Sequence, residues 1–309
     1  MKGKHDRTQA KALKIEGTSA IFSLPYYVAD EEGYFAAEGL DVSLIRRSYG
    51  WSDPNPTFEL VEDHRSVSAF STFLQFESGQ SDLYRACEWG QVRRSHDSTV
   101  GGRIVSRRAA VASQAILVRA DSPVNTPQDL ANVPVGVHYH HGSHYIAIQT
   151  LEGFLPREEI KVVGIDGGNR LLALRDGLVD AVAVMEPWIT VGQKLCYKII
   201  AEAHYVGSEI AGPDLDADTF AAINRAVGRA VTKINADIRP YLHYFIEEVP
   251  KEIAELQPED FQLGRLRFVQ PSPYPEAHFQ RTYNWMVSWG LIPPDAGFAD
   301  IVDNRLVTV

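Results

Sequence analysis

Short apolar runs alternate with stretches of helical spacing along the first two thirds of this chain. Helical spacing alone fills the last third. Residues 12–16 read as a first strand, and 40–45 as a second, with apolar and polar positions alternating. Between them, 22–27 reads as a loop carrying Ser23, Pro25 and Tyr26, and 26–38 as a helix ended by Gly39. The stretch 48–56, with its Gly, Asp, Asn and Pro, is a loop, and 58–61 is apolar without a clear period. A helix is predicted over 66–78, closed by Gly79, and then a strand over 82–86 with Cys87, Glu88 and Trp89 at its carboxyl end. Residues 100–105 and 115–118 read as two separate strands, and Thr126-Pro127 as a helix start. Strands at 134–137, 160–163, 179–184 and 198–203 alternate with helices opening at Gly142, at Asn169 and after Glu186-Pro187. That alternation predicts βαβ units and a mainly parallel sheet. From Asp216 onward a capped helix over 216–235 places Phe220, Ile223, Val227, Val231 and Ile234 on one face. Helices over 241–249 and 275–289, the second closed by Gly290, complete a third that is predicted to contain no strand.

The stretch 132–152 organises the rest. A buried strand feeds a histidine-crowded loop and then a helix opening at Gly142-Ser143. A helix start leaves backbone N–H groups free and carries the positive end of the dipole, which suits an anion or polar ligand. In open α/β sheets such loops lie at the carboxyl ends of strands, where ligands bind.

Composition narrows the function classes. The chain has 309 residues, 45% hydrophobic and 23% charged, long enough for a large core and for two lobes. A net charge of −10 argues against nucleic acid as a partner. Two cysteines, Cys87 and Cys196, set no disulfide framework. No apolar window is long enough to cross a membrane, so membrane insertion is not expected. The polar start of the chain has no leader-like apolar core, so the sequence as it stands reads as cytoplasmic. With a leader removed it would read as periplasmic or extracellular.

Several segments, in order, resemble one family. Gly33-Tyr-Phe-Ala-Ala-Glu-Gly-Leu-Asp-Val42 is similar to the "GYF-x-x-EGLDV" segment of solute-binding proteins for sulfonates, taurine, nitrate and pyrimidine precursors. Glu77-Ser-Gly-Gln-Ser-Asp82 resembles their "SG-x-x-D" turn. Asp129-Leu-Ala-Asn-Val-Pro-Val-Gly-Val137 resembles "DL-x-GK-x-V-G-V", and Asp176-Gly-Leu-Val-Asp-Ala181 with Glu186-Pro-Trp188 resembles "G-x-VDA-x-x-x-x-EP". The resemblance covers roughly residues 12–205. It implies an α/β, two-lobed type II periplasmic-binding-protein fold with a helical C-terminal segment. Lobe one would take 1–114 and 207–309, lobe two 115–206, with hinge closure over a small-molecule ligand. A permease and an ATPase would be the partners. Cytoplasmic enzymes on the same fold are similar too: a pyrimidine-precursor synthase, a sulfinate desulfinase and dihydroxyphthalate decarboxylases. The desulfinase's cysteine would fall where this chain has Ala20 to Ser23, and the synthase's cysteine-rich segment is absent.

The candidate residues follow. His138, His140, His141 and His144 put four of ten histidines into seven positions. In a helix His140 and His144 would share a face, as metal ligands need; no metal is assigned, and no cofactor is identified. His140 or His141 suits a general base or a donor to a bound carboxylate, and Gly142, Ser143 and His144 complete that wall. The alternative is a polar loop capping the helix. Cys87 is a candidate nucleophile and Glu88 a candidate acid or base, against a small buried thiol as the plain reading. Trp89 suits stacking on a flat ligand. Ser23 and Tyr26 are candidate ligand walls. Arg85 is a candidate carboxylate or sulfonate clamp, or a salt bridge. Glu186 and Trp188 are cleft candidates by resemblance, although a helix start alone accounts for Glu186. Asn169 and Arg170 open a helix after Gly167-Gly168, where an anion contact is also open. Three function classes remain: a solute-binding protein clamping a small organic acid or heteroaromatic ligand, a lyase-type enzyme using His140 or His141 with Cys87 or Glu88, and a cytoplasmic ligand sensor without turnover.

Overall fold

A computed structural model describes residues 11–46, 53, 55–71, 73–166 and 169–306. The sheet order is set by which strands carry apolar residues on both faces. Strands β1 (Lys11–Gly17), β2 (Leu40–Arg46) and β4 (Leu83–Ala86) pair in parallel. Strands β6 (Val135–Val137), β7 (Val162–Asp166) and β8 (Ala181–Met185) form a second parallel group. Two long antiparallel strands, β5 (Arg103–Val118) and β9 (Lys198–Ala211), join the groups: β9 pairs with β4 and β5 with β8. The resulting path is β2-β1-β4-β9-β5-β8-β6-β7-β3, in which β3 (Glu59–Val61) runs antiparallel to β7. A short β10 (Arg267–Phe268) pairs with β5.

Helices cover the sheet. They are α1 (Ala20–Glu31), α2 (Tyr34–Ala37), α3 (Leu74–Glu77), α4 (Glu88–Asp97), α5 (Gly142–Glu152), α6 (Arg170–Arg175) and α7 (Trp188–Lys194), then α8 (Ala217–Ala236), α9 (His243–Ile246), α10 (Glu276–Ser288) and α11 (Phe298–Ile301). Helix α8 is capped as its sequence predicts: Asp216 accepts from Thr219 N at 2.7 Å, and Phe220, Ile223, Val227, Val231 and Ile234 are buried. Burying five such side chains contributes roughly 1.5–3 kcal/mol each before entropy is counted. Asn169 caps α6 through Leu171 N at 2.9 Å.

Several expectations are corrected. Residues 22–27 are not a loop: α1 begins at Ala20, so Ser23 and Tyr26 stand on a helix that contains Pro25. Its start is stabilised from far away, by the Glu248 carboxylate, which accepts from Ala20 N and, at 2.6 Å, from Ser19 Oγ. The two strands expected at 100–105 and 115–118 are one strand. The polar triplet Ser106-Arg107-Arg108 looks like a break but lies within β5, flanked by register shifts that absorb it. Only the last turn of the helix expected over 66–78 forms as α3, and the helix expected over 241–249 shrinks to α9 and a preceding 3₁₀ turn. The expected helix start at Thr126 is a 3₁₀ turn with a Thr126–Asp129 capping box. Strand β10 interrupts a C-terminal third that was expected to lack strands. Part of the loop at 48–56, and Gly167-Gly168, lie outside the described residues. Among those described, no helix is long and apolar enough to cross a membrane.

Candidate functional site

The carboxyl ends of both parallel groups face each other across β5 and β9, and a cleft opens there. Thr18, Ser19 and Phe22 enter it from β1 and α1, and Ala86 and Cys87 from the end of β4. His138, His141, Gly142 and Ser143 come from the turn between β6 and α5, and Arg170 and Met185 from beyond β7 and β8. Gln114 and Tyr205 project from the long strands, and Phe73 closes one side. The cleft encloses about 470 Å³ of empty space, part of it open to solvent.

The electrostatics are one-sided. Among the described residues no aspartate or glutamate lines the cleft. Arg170 is 8% exposed, and its Nε donates to the Ala183 carbonyl at 2.9 Å. Burial pulls its pKa down to about 10, which still leaves it charged at neutral pH. Two more arginines stand behind the wall, both 0% exposed. Arg94 donates to the carbonyls of Ala69 (2.7 Å) and His140 (2.9 Å) and lies 4.3 Å from the Phe73 ring centre. Arg108 donates to the carbonyls of Ala110 (2.9 Å) and Ala86 (3.0 Å) and lies 4.2 Å from the Phe22 ring centre. Burial lowers its pKa as well. Gln114 is 2% exposed, and its Nε2 has no partner among the described residues.

The histidine loop is packed rather than free. His138 and His141 stack with centroids 3.9 Å apart, and His141 stacks on Phe73 at 5.6 Å. His140 adopts φ 60°, and its Nε2 bonds the His64 carbonyl at 2.8 Å. Burial, reinforced by neighbouring guanidinium charge, pushes His138 down to about 3 and His140 to about 4. His141 and His144 are lowered well below the ordinary value, again chiefly by burial. All four are neutral at physiological pH. Two glycines permit this packing. A Cβ on Gly142 would overlap the Tyr205 hydroxyl, and one on Gly90 would come within 2.5 Å of the His140 carbonyl.

Of the residues singled out in the sequence, Cys87, His138, His141, Gly142, Ser143 and Arg170 line the cleft. Ser143 Oγ closes the turn by accepting from His138 N at 2.9 Å. Cys87 caps α4 without a side-chain bond, and burial raises its thiol pKa. The others do not line it. Arg85, a candidate clamp or salt bridge, sits at 3.4 Å from Glu209 and donates to Ser23 Oγ at 3.0 Å; Tyr26 donates to Glu209 at 2.8 Å. Ser23, Tyr26 and Arg85 are thus parts of one buried network. Glu88 faces the other way, bonded to His278 at 2.7 Å and to Thr282. Trp89 stacks between Tyr145 and Tyr205. His140 and His144 lie behind the wall, and they share no helical face because α5 starts at Gly142. Glu186 accepts from Thr190 N (3.1 Å) and Oγ1 (2.8 Å), and Trp188 is buried beside it. Among the described residues no group of three or more His, Cys, Asp and Glu side chains is placed to hold a metal ion. Sequence reasoning missed Thr18, Ser19, Phe22, Phe73, Gln114, Met185 and Tyr205. The strand-end rule signals Thr18 and Met185, but nothing local marks Gln114 in mid-strand.

This arrangement is the periplasmic-binding-protein fold in its type II form. The chain is similar to the alkanesulfonate-binding protein SsuA of Xanthomonas axonopodis pv. citri, solved with MOPS bound (13% identity, TM-score 0.73, covering 96% of this chain and 99% of that one). It is similar to a Candida albicans protein described as having the generic periplasmic-binding-protein fold (12%, TM-score 0.69, 96% and 98%). The desulfurization enzyme DszB is also similar (14%, TM-score 0.57, 96% and 97%). At these identities the likeness fixes the fold. No protein-family model matches the sequence, and no curated protein is detectably similar to it.

Proposed function

We propose that this chain clamps a small organic acid or similar anion between two lobes, as the solute-receiving component of an ATP-driven importer. The lobes are residues 1–114 with 207–309, and 115–206, with β3 lent by the first to the sheet edge of the second. The observation that carries the reading is Arg170, a buried guanidinium on a cleft wall that holds no carboxylate among the described residues. A charge so placed is costly until an anion joins it. The unpartnered Gln114 amide and the start of α5 add donors suited to the same ligand. The likeness to sulfonate-binding importer components supports a sulfonate or carboxylate as cargo, and a permease with its ATPase as partners. In that role the protein works outside the cytoplasmic membrane.

A second reading, a lyase-type enzyme, is favoured by the thiol of Cys87 and the imidazoles of His138 and His141 sharing the cleft. Against it, burial keeps that thiol protonated and the imidazoles neutral. Incubation with mixed small sulfonates, aromatic carboxylates and pyrimidines, followed by mass spectrometry, separates the two. A compound retained unchanged at one per chain is the expected result. A compound consumed beyond one equivalent, with loss of that turnover in Cys87→Ser, would replace binding with catalysis.

A further inference from the structure

On the two-lobed reading given above, we infer that residues 59–71 form a latch whose release opens the cleft. This segment lies in lobe one along the chain, yet it is bonded to lobe two. Strand β3 sets Leu60 opposite Ile165 and Val61 opposite Gly164 of β7. The Tyr139 hydroxyl donates to the Glu62 carbonyl at 2.8 Å, and His140 Nε2 donates to that of His64, also at 2.8 Å. The His64 ring centre lies 6.1, 5.9 and 5.7 Å from those of Tyr139, His140 and His144. At the other end of the segment, Arg94 ties the Ala69 carbonyl to that of His140. With β5 and β9 as the hinge, parting the lobes has to break the pairing of β3 with β7, because the two strands belong to different lobes.

Two features make the segment a latch rather than a fixed edge strand. It is thinly held: β3 has three residues, none of residues 59–68 is buried, and Leu60 is 43% exposed. A cavity of about 280 Å³, part of it open to solvent, lies between the segment and lobe two. Val61, Val67 and Ser71 line it from the segment, and His138, Tyr139 and Ile165 from lobe two. A segment with few buried contacts opens locally at small cost. The second feature is the turn that holds it. His138, His141 and Gly142 line the cleft, while Tyr139 and His140, between them, hold the latch. His138 lines both the cleft and the cavity. His140 keeps φ 60°, which a residue with a side chain adopts where its surroundings fix it; its bonds to the His64 carbonyl and to Arg94 do so here. Release of the latch therefore frees the turn that forms the ligand wall, and a ligand that reshapes the wall biases the latch.

Cys87 reports on the cleft from within, since it lines it and is 2% exposed. In a full-length Cys196→Ser background, alkylation of Cys87 by iodoacetamide, followed by mass spectrometry, measures how often the cleft opens. Leu60→Cys with Ile165→Cys fixes the latch by a disulfide, because facing residues of an antiparallel pair lie at disulfide distance. The crosslinked chain is expected to be labelled at Cys87 about tenfold slower or more than the background. Tyr139→Phe removes one bond of the latch and is expected to speed labelling about fivefold, with hydrogen exchange in β8 unchanged. Equal labelling with and without the crosslink overturns the latch. Where the crosslink does not form, unchanged labelling in folded Tyr139→Phe overturns it. Faster labelling accompanied by faster exchange in β8 overturns it too, since that marks general unfolding. Labelling needs no ligand, so these outcomes bear on the latch alone, and the incubation with small sulfonates and carboxylates bears on the anion site.

Discussion

Two sets of buried arginines divide this molecule. Arg85 meets Glu209, and Arg265 meets Glu202 at 2.9 Å with Glu186 at 3.6 Å. Among the described residues Arg94, Arg108 and Arg170 meet no carboxylate, and these are the ones gathered around the cleft. A paired buried charge reads as structure, because removing one partner strands the other. An unpaired one beside a cavity reads as waiting for a ligand. Arg85 belongs to the first set, so of the two readings its sequence left open, clamp or salt bridge, the geometry favours the salt bridge.

The largest effect should come from breaking a pair. Arg85→Met leaves the Glu209 carboxylate buried without its cation and should cost roughly 3–5 kcal/mol in urea unfolding. The double change with Glu209→Gln should recover part of that. By contrast, Arg170→Gln should change stability by less than about 1 kcal/mol, or raise it, since no partner is stranded. It should nevertheless weaken anion binding by about tenfold or more in calorimetric titration. If Arg170→Gln is as destabilising as Arg85→Met, the two sets are not different in kind.

A smaller effect is expected where the two lobes meet away from the cleft. Glu152, at the far end of α5, accepts from the indole nitrogens of Trp285 on α10 (2.7 Å) and of Trp289 at its C-cap (2.6 Å). The same helix begins at the cleft, so ligand position and this contact share a rigid rod. Glu152→Gln should cost about 1 kcal/mol and shift the tryptophan emission to the red as the lobes part. An unchanged spectrum would show that the contact does not hold the lobes.

Acid should act through the histidine wall. His138 and His140 have folded pKa values of about 3 and 4, below the ordinary 6.5. The unfolded chain therefore binds protons that the folded one refuses. Their contribution is fully present above pH 6.5 and is lost as pH falls from there toward 3–4. His138→Asn should flatten the fall in stability across that window. A fall of unchanged steepness would place the acid sensitivity elsewhere.

Much of the frame was legible in the chain. Strands β1, β2, β4 and β6 and helix α8 announced themselves by alternation, by Gly39 and Gly290 at helix ends, and by the Asp216 cap. The turn from β6 into α5 was legible as a site wall because strand-to-helix turns carry free N–H groups wherever they occur. What stayed hidden depends on distant partners. Nothing near Ala20 announces that Glu248 will cap α1. Ser106 to Arg108 looks like a break because their burial is decided by Phe22, Ala86 and Tyr205, remote in sequence. The histidines drew attention as chemistry, yet packing against Phe73 and His64 makes two of them a backing layer. The charge that matters sits on arginines whose carbonyl partners leave no trace in the sequence.

The thermal midpoint of wild type and Arg170→Gln, each with and without a mixture of small sulfonates and dicarboxylates, would decide the matter. A midpoint that rises with the mixture in wild type and stays put in Arg170→Gln is the predicted outcome. An equal rise in both, or none in either, would contradict an anion site built on Arg170.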